Sequence, residues 1–240
     1  MLATDAVRLF AGTAILAFAT WTDLRWRRAP NVLWIVMASV GAVLLTVDLV
    51  SDPSLVSAAP YLAFAPLFAG FILVLYRLHL IAGGADAKAL VAAAVLVPFP
   101  LHLSGSLPLL ESPTPASFAT LGNALLAFLA LPLVFFVRNL ARGDLRFPHA
   151  FLGYRMEVDA AKRAHVWPME AVVDGKLAAV RMPSRFEWED EDYEALRQAG
   201  VERPWVTPKV PFMVPLLAGF VLAFFVGDVL FSLLFRALRG

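Results

Sequence analysis

The chain has 240 residues, of which 60% are hydrophobic and only 16% are charged. A soluble domain of this length would carry more charge and fewer long apolar runs, so the composition indicates a polytopic membrane protein. The lack of cysteine excludes disulfide bonds and thiolate zinc sites, and the formal net charge of +1 gives no indication of a nucleic-acid partner.

Six apolar segments are long enough to form transmembrane helices. We predict these helices over residues 2–21, 32–50, 60–80, 87–103, 117–137 and 210–235. The predicted fold class is an all-α polytopic membrane protein with about six transmembrane helices and a small cytoplasmic α+β insertion before the last helix. The expected division is helices 1 to 5 in residues 1–137, the polar insertion in 138–209 and helix 6 in 210–240.

The polar insertion contains two segments with predictable secondary structure. Residues 169–173 and 176–182 are strand-like runs on either side of Asp174-Gly175, a dipeptide typical of a two-residue hairpin turn. Residues 184–200 predict a solvent-exposed helix, because six acidic side chains lie between positions 187 and 194.

The distribution of basic residues predicts the orientation of the helices. They cluster at three of the predicted helix boundaries: Arg25, Arg27, Arg28, Arg77, Lys88, Arg138, Arg142 and Arg146. The other two connections contain none, so we expect the basic segments on the cytoplasmic side of the plasma membrane and the N-terminus outside. Arg236 and Arg239 near the C-terminus are exceptions to this pattern.

Two aspartates are expected to meet at the cytoplasmic face. Asp23 follows helix 1, which runs inward, and Asp86 begins helix 4, which runs outward. Three other acids are expected at or near the opposite face: Asp5, Asp48 and Asp228. Asp144 shares the cytoplasmic face, but the arginines on either side of it predict a solvated or salt-bridged role.

A close pair of carboxyl groups can perform acid–base chemistry, because the two groups cannot both ionise easily. One carboxylate could activate water while the other, still protonated, donates to a carbonyl oxygen or a leaving amine. Gly83, Gly84 and Ala85 would let a substrate backbone approach closely, and the glycines could adopt positive φ. The alternative is that Asp86 caps its helix and Asp23 forms an interfacial ion pair.

Other polar residues near the pair have simpler interpretations. Lys88 is interpreted as a cation that reaches the membrane surface, and Tyr76 and His79 as interfacial side chains. The four histidines have no spacing that predicts a metal site, and the glycine segment lacks the spacing of a phosphate-binding loop.

The segments around both aspartates resemble the motifs of the type IV prepilin peptidase family, membrane aspartic proteases of the Gly-x-Gly-Asp type. Residues 23–31 (Asp-Leu-Arg-Trp-Arg-Arg-Ala-Pro-Asn) are similar to the loop after the first helix of the family. Residues 83–88 (Gly-Gly-Ala-Asp-Ala-Lys) are similar to the segment that opens its fourth helix, although Ala85 replaces a glycine. The lack of cysteine and the polar region after helix 5 favour the archaeal branch, the preflagellin (archaellin) and prepilin peptidases, because bacterial members usually carry a tetracysteine site.

The resemblance implies an aspartic endopeptidase in which Asp23 and Asp86 are catalytic. Its supporting residues would be Gly83, Gly84, Ala85 and Lys88. Its substrates would be pilin or archaellin precursors with a short basic leader and a hydrophobic helix, cleaved at the cytoplasmic face, where the acidic helix could attract the leader. No metal or organic cofactor is implied, since a carboxylate pair and water suffice, and the expected partners are the precursors and the lipid bilayer, without nucleic acid.

Two other functions stay open on the residues alone. A small proton-coupled transporter would use the two aspartates to relay protons or bind a cation, and it predicts acids near the membrane midplane and broken helices in matching halves. A non-catalytic subunit of a filament or secretion machine would tolerate Asp→Asn at both positions.

Overall fold

The computed structural model describes residues 4–78, 83–101, 108–110, 114–180 and 188–239. The chain divides into two compact units: a helical unit, Met1–Phe128 with Pro211–Gly240, and an inserted unit, Leu129–Val210. The predicted ends of helices 3 and 4, the interfacial residue His79 and the acidic residue Glu187 lie outside the described residues.

Helices form most of the helical unit. They are α1 Asp5–Trp26, α2 Asn31–Ser51, α3 Ala59–Arg77, α4 Gly84–Leu96, α5 Ala116–Leu129, α10 Met213–Phe225 and α11 Val229–Arg239, with a 3₁₀ turn over Pro53–Ala58. α4 packs against α2 and α3, while α1 packs against α10 and α2. These contacts bring the end of α1 and the start of α4, which carry the two predicted site aspartates, into the same unit.

The core of the helical unit lies among α1, α2, α4 and α10. Leu16, Met37, Leu96 and Phe220 are fully buried there. At Gly41, a Cβ would come within 2.6 Å of the Leu96 Cα, so α2 lies directly against the backbone of α4. Small residues permit such close helix packing in a membrane, where association depends on van der Waals contact.

In the described part of the chain, three helical segments are long and apolar enough to cross a membrane: Asn31–Ser51, Pro60–Arg77 and Ala116–Arg142. The pair Met213–Phe225 and Val229–Leu238, bent by 67°, would make a fourth. The described residues are therefore mostly helical with three to four candidate spans, and a total of about six transmembrane helices stays a prediction. α1 carries two charged residues near its start, and α4 has only 13 residues.

Several predicted helix boundaries are wrong. α1 continues to Trp26, so Asp23 lies within the helix and not after it. α4 ends at Leu96, short of the predicted position 103. Predicted helix 5 is interrupted at Ala130 and resumes as α6 Leu131–Arg142, and predicted helix 6 is interrupted between α10 and α11.

The inserted unit combines short helices with two small sheets. Besides α6 it contains α7 His149–Leu152, α8 Val158–Arg163, α9 Asp190–Gln198, and the strands β1 Tyr154–Arg155, β2 Val166–Pro168, β3 Glu170–Val173, β4 Lys176–Ala179 and β5 Trp205–Pro208. One sheet is antiparallel with the order β1-β5-β2, and β3 pairs with β4. The small β-containing insertion before the last helices is therefore confirmed.

Both secondary-structure predictions for the insertion are confirmed in the described part of the chain. The hairpin turn consists of Asp174 and Gly175, with φ of 51° and 70°, which is the left-handed geometry that a two-residue turn requires. The acidic helix is α9. Tyr193 and Leu196 of this helix are buried, and Asp190, Glu191 and Asp192 lie in its first turn. Residues 181–187, at the end of the predicted hairpin and the start of the predicted helix, lie outside the described residues.

Candidate active site

Asp23 lies in the last two turns of α1. Hydrogen bonds before and after Asp23 in the chain fix this part of the helix in place. The helix ends at Arg27, which has a left-handed backbone and whose N–H donates to the Asp23 carbonyl oxygen at 2.9 Å. Three residues before Asp23, the Thr20 hydroxyl donates to the Met213 carbonyl oxygen at 3.2 Å. The end of α1 that carries Asp23 is therefore held against the start of α10.

Asp86 lies in the first turn of α4, and its carboxyl group folds back over Gly83. A Cβ at Gly83 would lie 2.2 Å from Oδ2 of Asp86, so a side chain there would displace the carboxyl group from its present position. A Cβ at Gly84 would lie 3.5 Å from the Tyr76 hydroxyl, an ordinary contact. Gly83 has a φ of −101° and Gly84 is helical, so neither glycine uses the positive φ that this residue type permits. The close approach of the Asp86 carboxyl group accounts for the small residue at position 83.

The electrostatic properties of Asp23 and Asp86 are coupled. Burial is the larger cause and the negative charge of Asp23 the smaller cause that together raise the pKa of Asp86 to about 7. Burial also raises the pKa of Asp23, while the Arg27 guanidinium acts in the opposite direction. The two carboxyl groups are therefore within electrostatic reach, and near neutral pH the pair can hold one proton between them. Such a pair can supply an ionised and a protonated carboxyl group together.

Lys88 and Asn31 connect the two motif segments. The exposed Lys88 donates its Nζ to Asn31 Oδ1 at 2.9 Å. Asn31 is the first residue of α2, and Lys88 lies two residues after Asp86, so the bond joins the α1–α2 connection to the start of α4. No role was predicted for Asn31, although its place at the end of the first motif was a signal for one. Ala85 packs against the core, so a helical alanine fits where the family has glycine.

Three of the other acids lie at the opposite ends of the helices. Arg8, which is 1% exposed, is 2.7 Å from Asp48 and 3.4 Å from Asp5. Its Nε donates to the carbonyl oxygen of Leu96, the last residue of α4, at 2.8 Å. Asp228 is also buried, at the start of α11. None of these acids is therefore placed beside Asp23 or Asp86.

Asp144 belongs to the inserted unit. Its Oδ1 lies 3.9 Å from Nε of Arg155, which agrees with the predicted salt-bridged role but with a different arginine from the two that flank it in sequence. This pair is partly exposed and contributes little to stability.

An apolar groove of about 900 Å³ lies between α2, α3 and α4. Asn31, Tyr76 and Lys88 line it near the start of α4, whereas neither aspartate of the pair does. Positions 86 and 88 are about 200° apart around a helix, so Asp86 and the groove lie on different sides of α4. Within the described ranges, no group of three or more His, Asp or Glu side chains is arranged to hold a metal ion.

Comparisons with known proteins cover nearly the whole chain. Residues 10–137 match the type IV leader peptidase family, and residues 145–229 match the family described as archaeal peptidase A24 C-terminus type II. The first match contains both Asp23 and Asp86.

Three similar relatives are each named preflagellin peptidase. The protein of Methanococcus voltae is 25% identical, over 91% of this chain and 94% of its own length. The proteins of Methanocaldococcus jannaschii and Methanococcus maripaludis are 26% and 25% identical, each over 92% of this chain and over 94% and 96% of their own lengths.

Proposed function

The chain belongs to the type IV leader peptidase family, and from this premise we propose that it removes the leader peptide from pilin-like or archaellin precursors by aspartate-assisted hydrolysis. The family membership makes it a peptidase, and the relatives named preflagellin peptidase support the substrate class. The observation that carries the mechanism is the coupled pair of Asp23 and Asp86, since the pKa of Asp86 is raised to about 7 beside a second carboxylate.

In this mechanism Asp23 is the base and Asp86 the acid. Arg27 favours the ionised form of Asp23, while burial favours the protonated form of Asp86. Asp23 accepts a proton from water as the water oxygen bonds to the carbonyl carbon of the scissile peptide, and Asp86 donates its proton to the carbonyl oxygen. When the tetrahedral intermediate collapses, the carbon–nitrogen bond breaks and the proton held by Asp23 passes to the leaving amine. The proton on the former carbonyl oxygen returns to Asp86 as the carbon–oxygen double bond re-forms, which restores both carboxyl groups.

The proposed topology places this reaction at the cytoplasmic face of a multi-pass plasma-membrane protein. α1, α4 and α10 join the three candidate spans in the bilayer, which gives about six transmembrane helices, with the N-terminus outside, residues 138–209 in the cytoplasm, and Asp23 and Asp86 at the cytoplasmic membrane surface. Arg25, Arg27 and Arg28 at the end of α1 support this orientation, because basic residues are enriched in short cytoplasmic segments.

The proposed substrates are precursors in which a short basic leader precedes a hydrophobic helix. The hydrophobic helix would lie in the bilayer against the enzyme and deliver the leader junction to the membrane surface. The acidic first turn of α9, with Asp190, Glu191 and Asp192, would attract the basic leader.

A cleavage assay in membranes tests the mechanism. A precursor with a basic leader and a hydrophobic helix is mixed with the wild type, Asp23→Asn, Asp86→Asn or Asp144→Asn enzyme. We expect Asp23→Asn and Asp86→Asn each to slow cleavage about 10²- to 10⁴-fold, the range of general acid–base catalysis. Asp144→Asn is the matched control and should stay active, because Asp144 pairs with Arg155 in the inserted unit. Full activity of either Asp23→Asn or Asp86→Asn contradicts the mechanism.

A further inference from the structure

The break between α10 and α11 is stabilised by specific hydrogen bonds from other parts of the helical unit. Asn123 of α5 bonds both sides of it: its Nδ2 donates to the Gly227 carbonyl oxygen at 2.8 Å, and its Oδ1 accepts from the Val229 N–H at 3.1 Å. Asp228 accepts the Phe231 N–H at 2.9 Å and thereby caps α11. The free backbone groups of the interruption thus have partners, as apolar surroundings require.

The backbone at the break also excludes a continuous helix. Gly227 has a φ of +94°, and a Cβ there would lie 2.2 Å from the Leu110 carbonyl oxygen. The N–H of Leu110 donates to the Val226 carbonyl oxygen at 2.8 Å. The 67° bend is therefore a defined corner of the fold.

The corner lies level with the ends of three other helices. α10 runs antiparallel to α1, because Thr20 contacts Met213 and Gly12 lies against the Phe220 ring. Continuing this register sets Phe225, the last residue of α10, beside the first turns of α1. Arg8 in those turns binds Asp48 near the end of α2 and Leu96 at the end of α4. Because α2 is a candidate span that ends at this level, we infer that the level is close to a boundary of the membrane.

α11 itself is amphipathic. Asp228, Ser232 and Arg236 follow one another at four-residue intervals and form a polar line along one side. Leu230, Leu234 and Leu238 form an apolar line on the opposite side, and they are 41%, 53% and 75% exposed. A helix with one charged and one leucine-rich side is suited to the boundary between lipid headgroups and acyl chains.

We propose that α11 is an interfacial helix that lies along the membrane surface at the face opposite Asp23 and Asp86, and that its partner is the lipid bilayer. A turn of 67° from a helix that runs along the membrane normal brings α11 close to the membrane plane. Leu234, Leu238 and the exposed part of Leu230, which also packs against Gly122 of α5, enter the acyl region, while Arg236 contacts lipid phosphate groups. The family matches end at residue 229 and do not include these residues.

The test uses the full chain in vesicles of phosphatidylcholine and phosphatidylglycerol. Because the chain has no cysteine, Leu230→Cys, Ser232→Cys, Leu234→Cys, Arg236→Cys and Leu238→Cys each introduce a single thiol. One sample measures the rate of labelling by a membrane-impermeant maleimide. A second carries a fluorophore on the thiol and measures quenching by lipids brominated near the headgroup or near the chain end. An unchanged unfolding midpoint shows that a variant is folded.

We expect the two measurements to alternate with the helical period. Thiols at positions 232 and 236 should be labelled at least tenfold faster than thiols at 230, 234 and 238. Fluorophores at 230, 234 and 238 should be quenched more by bromines near the headgroup than by bromines near the chain end, and all three should lie at a similar depth. Asp52→Cys, at the end of α2, and Arg28→Cys, beyond α1, mark the two faces, and Arg236→Cys should label from the Asp52 side.

Three results would overturn the proposal. Quenching that moves steadily deeper from position 230 to 238 would show that α11 continues as a transmembrane segment. Slow labelling without quenching at 234 and 238 would show that another protein covers the leucines. Fast labelling at every position would show that α11 lies in water.

Discussion

At the scale of single residues, Gly83 determines where the Asp86 carboxyl group can lie. The carboxyl group occupies the space of a Cβ, 2.2 Å from where that atom would stand. A side chain at position 83 would therefore displace the carboxyl group, because the three atoms nearest to such a Cβ all belong to the Asp86 side chain. Gly84 has no comparable constraint, so the two adjacent glycines are not equivalent.

This difference gives a prediction for matched substitutions. Gly83→Ala should lower kcat for precursor cleavage by about 10²-fold, because displacing a reacting group by an ångström has effects of that size. Gly84→Ala should stay close to wild type, since its Cβ would make an ordinary contact with Tyr76 at 3.5 Å. The measurement is kcat for both variants with one precursor. Equal kcat values for the two variants would show that the position of the Asp86 carboxyl group is not limited by Gly83.

At the scale of helices, a buried ion pair far from the aspartate pair connects α1, α2 and α4. Arg8 and Asp48 are 1% and 3% exposed, and Arg8 also donates to the end of α4. Charges buried among membrane helices are destabilising unless they are paired and hydrogen-bonded. The Thr4 hydroxyl, which donates to Asp48 at 2.6 Å, contributes to this pairing.

Removing one partner should destabilise the helices more than removing both. Arg8→Met leaves Asp48 without its cation and should lower the free energy of unfolding by about 3–5 kcal/mol, whereas Arg8→Met with Asp48→Leu should recover much of that loss. Unfolding of each variant in a detergent and denaturant titration measures the difference. A double variant as unstable as the sum of the two single variants would show that the pair has no coupling.

At the scale of the whole molecule, the apolar pattern was sufficient to predict the order of the main helices and the small β insertion. It was also sufficient to predict that Asp23 and Asp86 belong to helix ends on one side, because the helix direction alternates along the chain. The extension of α1 was missed, since the polar segment after Trp21 looks like a loop although it continues the helix to Trp26.

The helix breaks were missed because apolar residues lie on both sides of each interruption, so hydrophobicity alone predicts uninterrupted helices there. Pro132 and the pair Gly227-Asp228 are local signals for a helix start or end, but they do not specify the bend. The corner at Gly227 depends on Asn123 and on the carbonyl oxygen of Leu110, both more than 100 residues earlier in the chain. Such contacts exist only once the helices have packed. The small residue at position 83 is likewise explained by the position of the Asp86 side chain, which the sequence did not reveal, and not by the positive φ that glycine permits.

The proposed mechanism requires that the Asp23–Asp86 pair works with one proton. Asp86 must be protonated to act as the acid. Its protonated form predominates below its pKa of about 7 and is lost as the pH rises above that value. Asp23 must be ionised to act as the base. Its ionised form is lost as the pH falls through its pKa, which burial has raised. The two conditions define a bell-shaped profile.

The most direct measurement is therefore kcat/KM for precursor cleavage as a function of pH, for the wild type and for the active control Asp144→Asn. We predict one bell-shaped curve for both enzymes, with the alkaline limb falling near pH 7. A rate that stays flat or rises as the pH passes from 7 into the alkaline range would contradict the account, because it would mean that no carboxyl group in the site has to keep its proton.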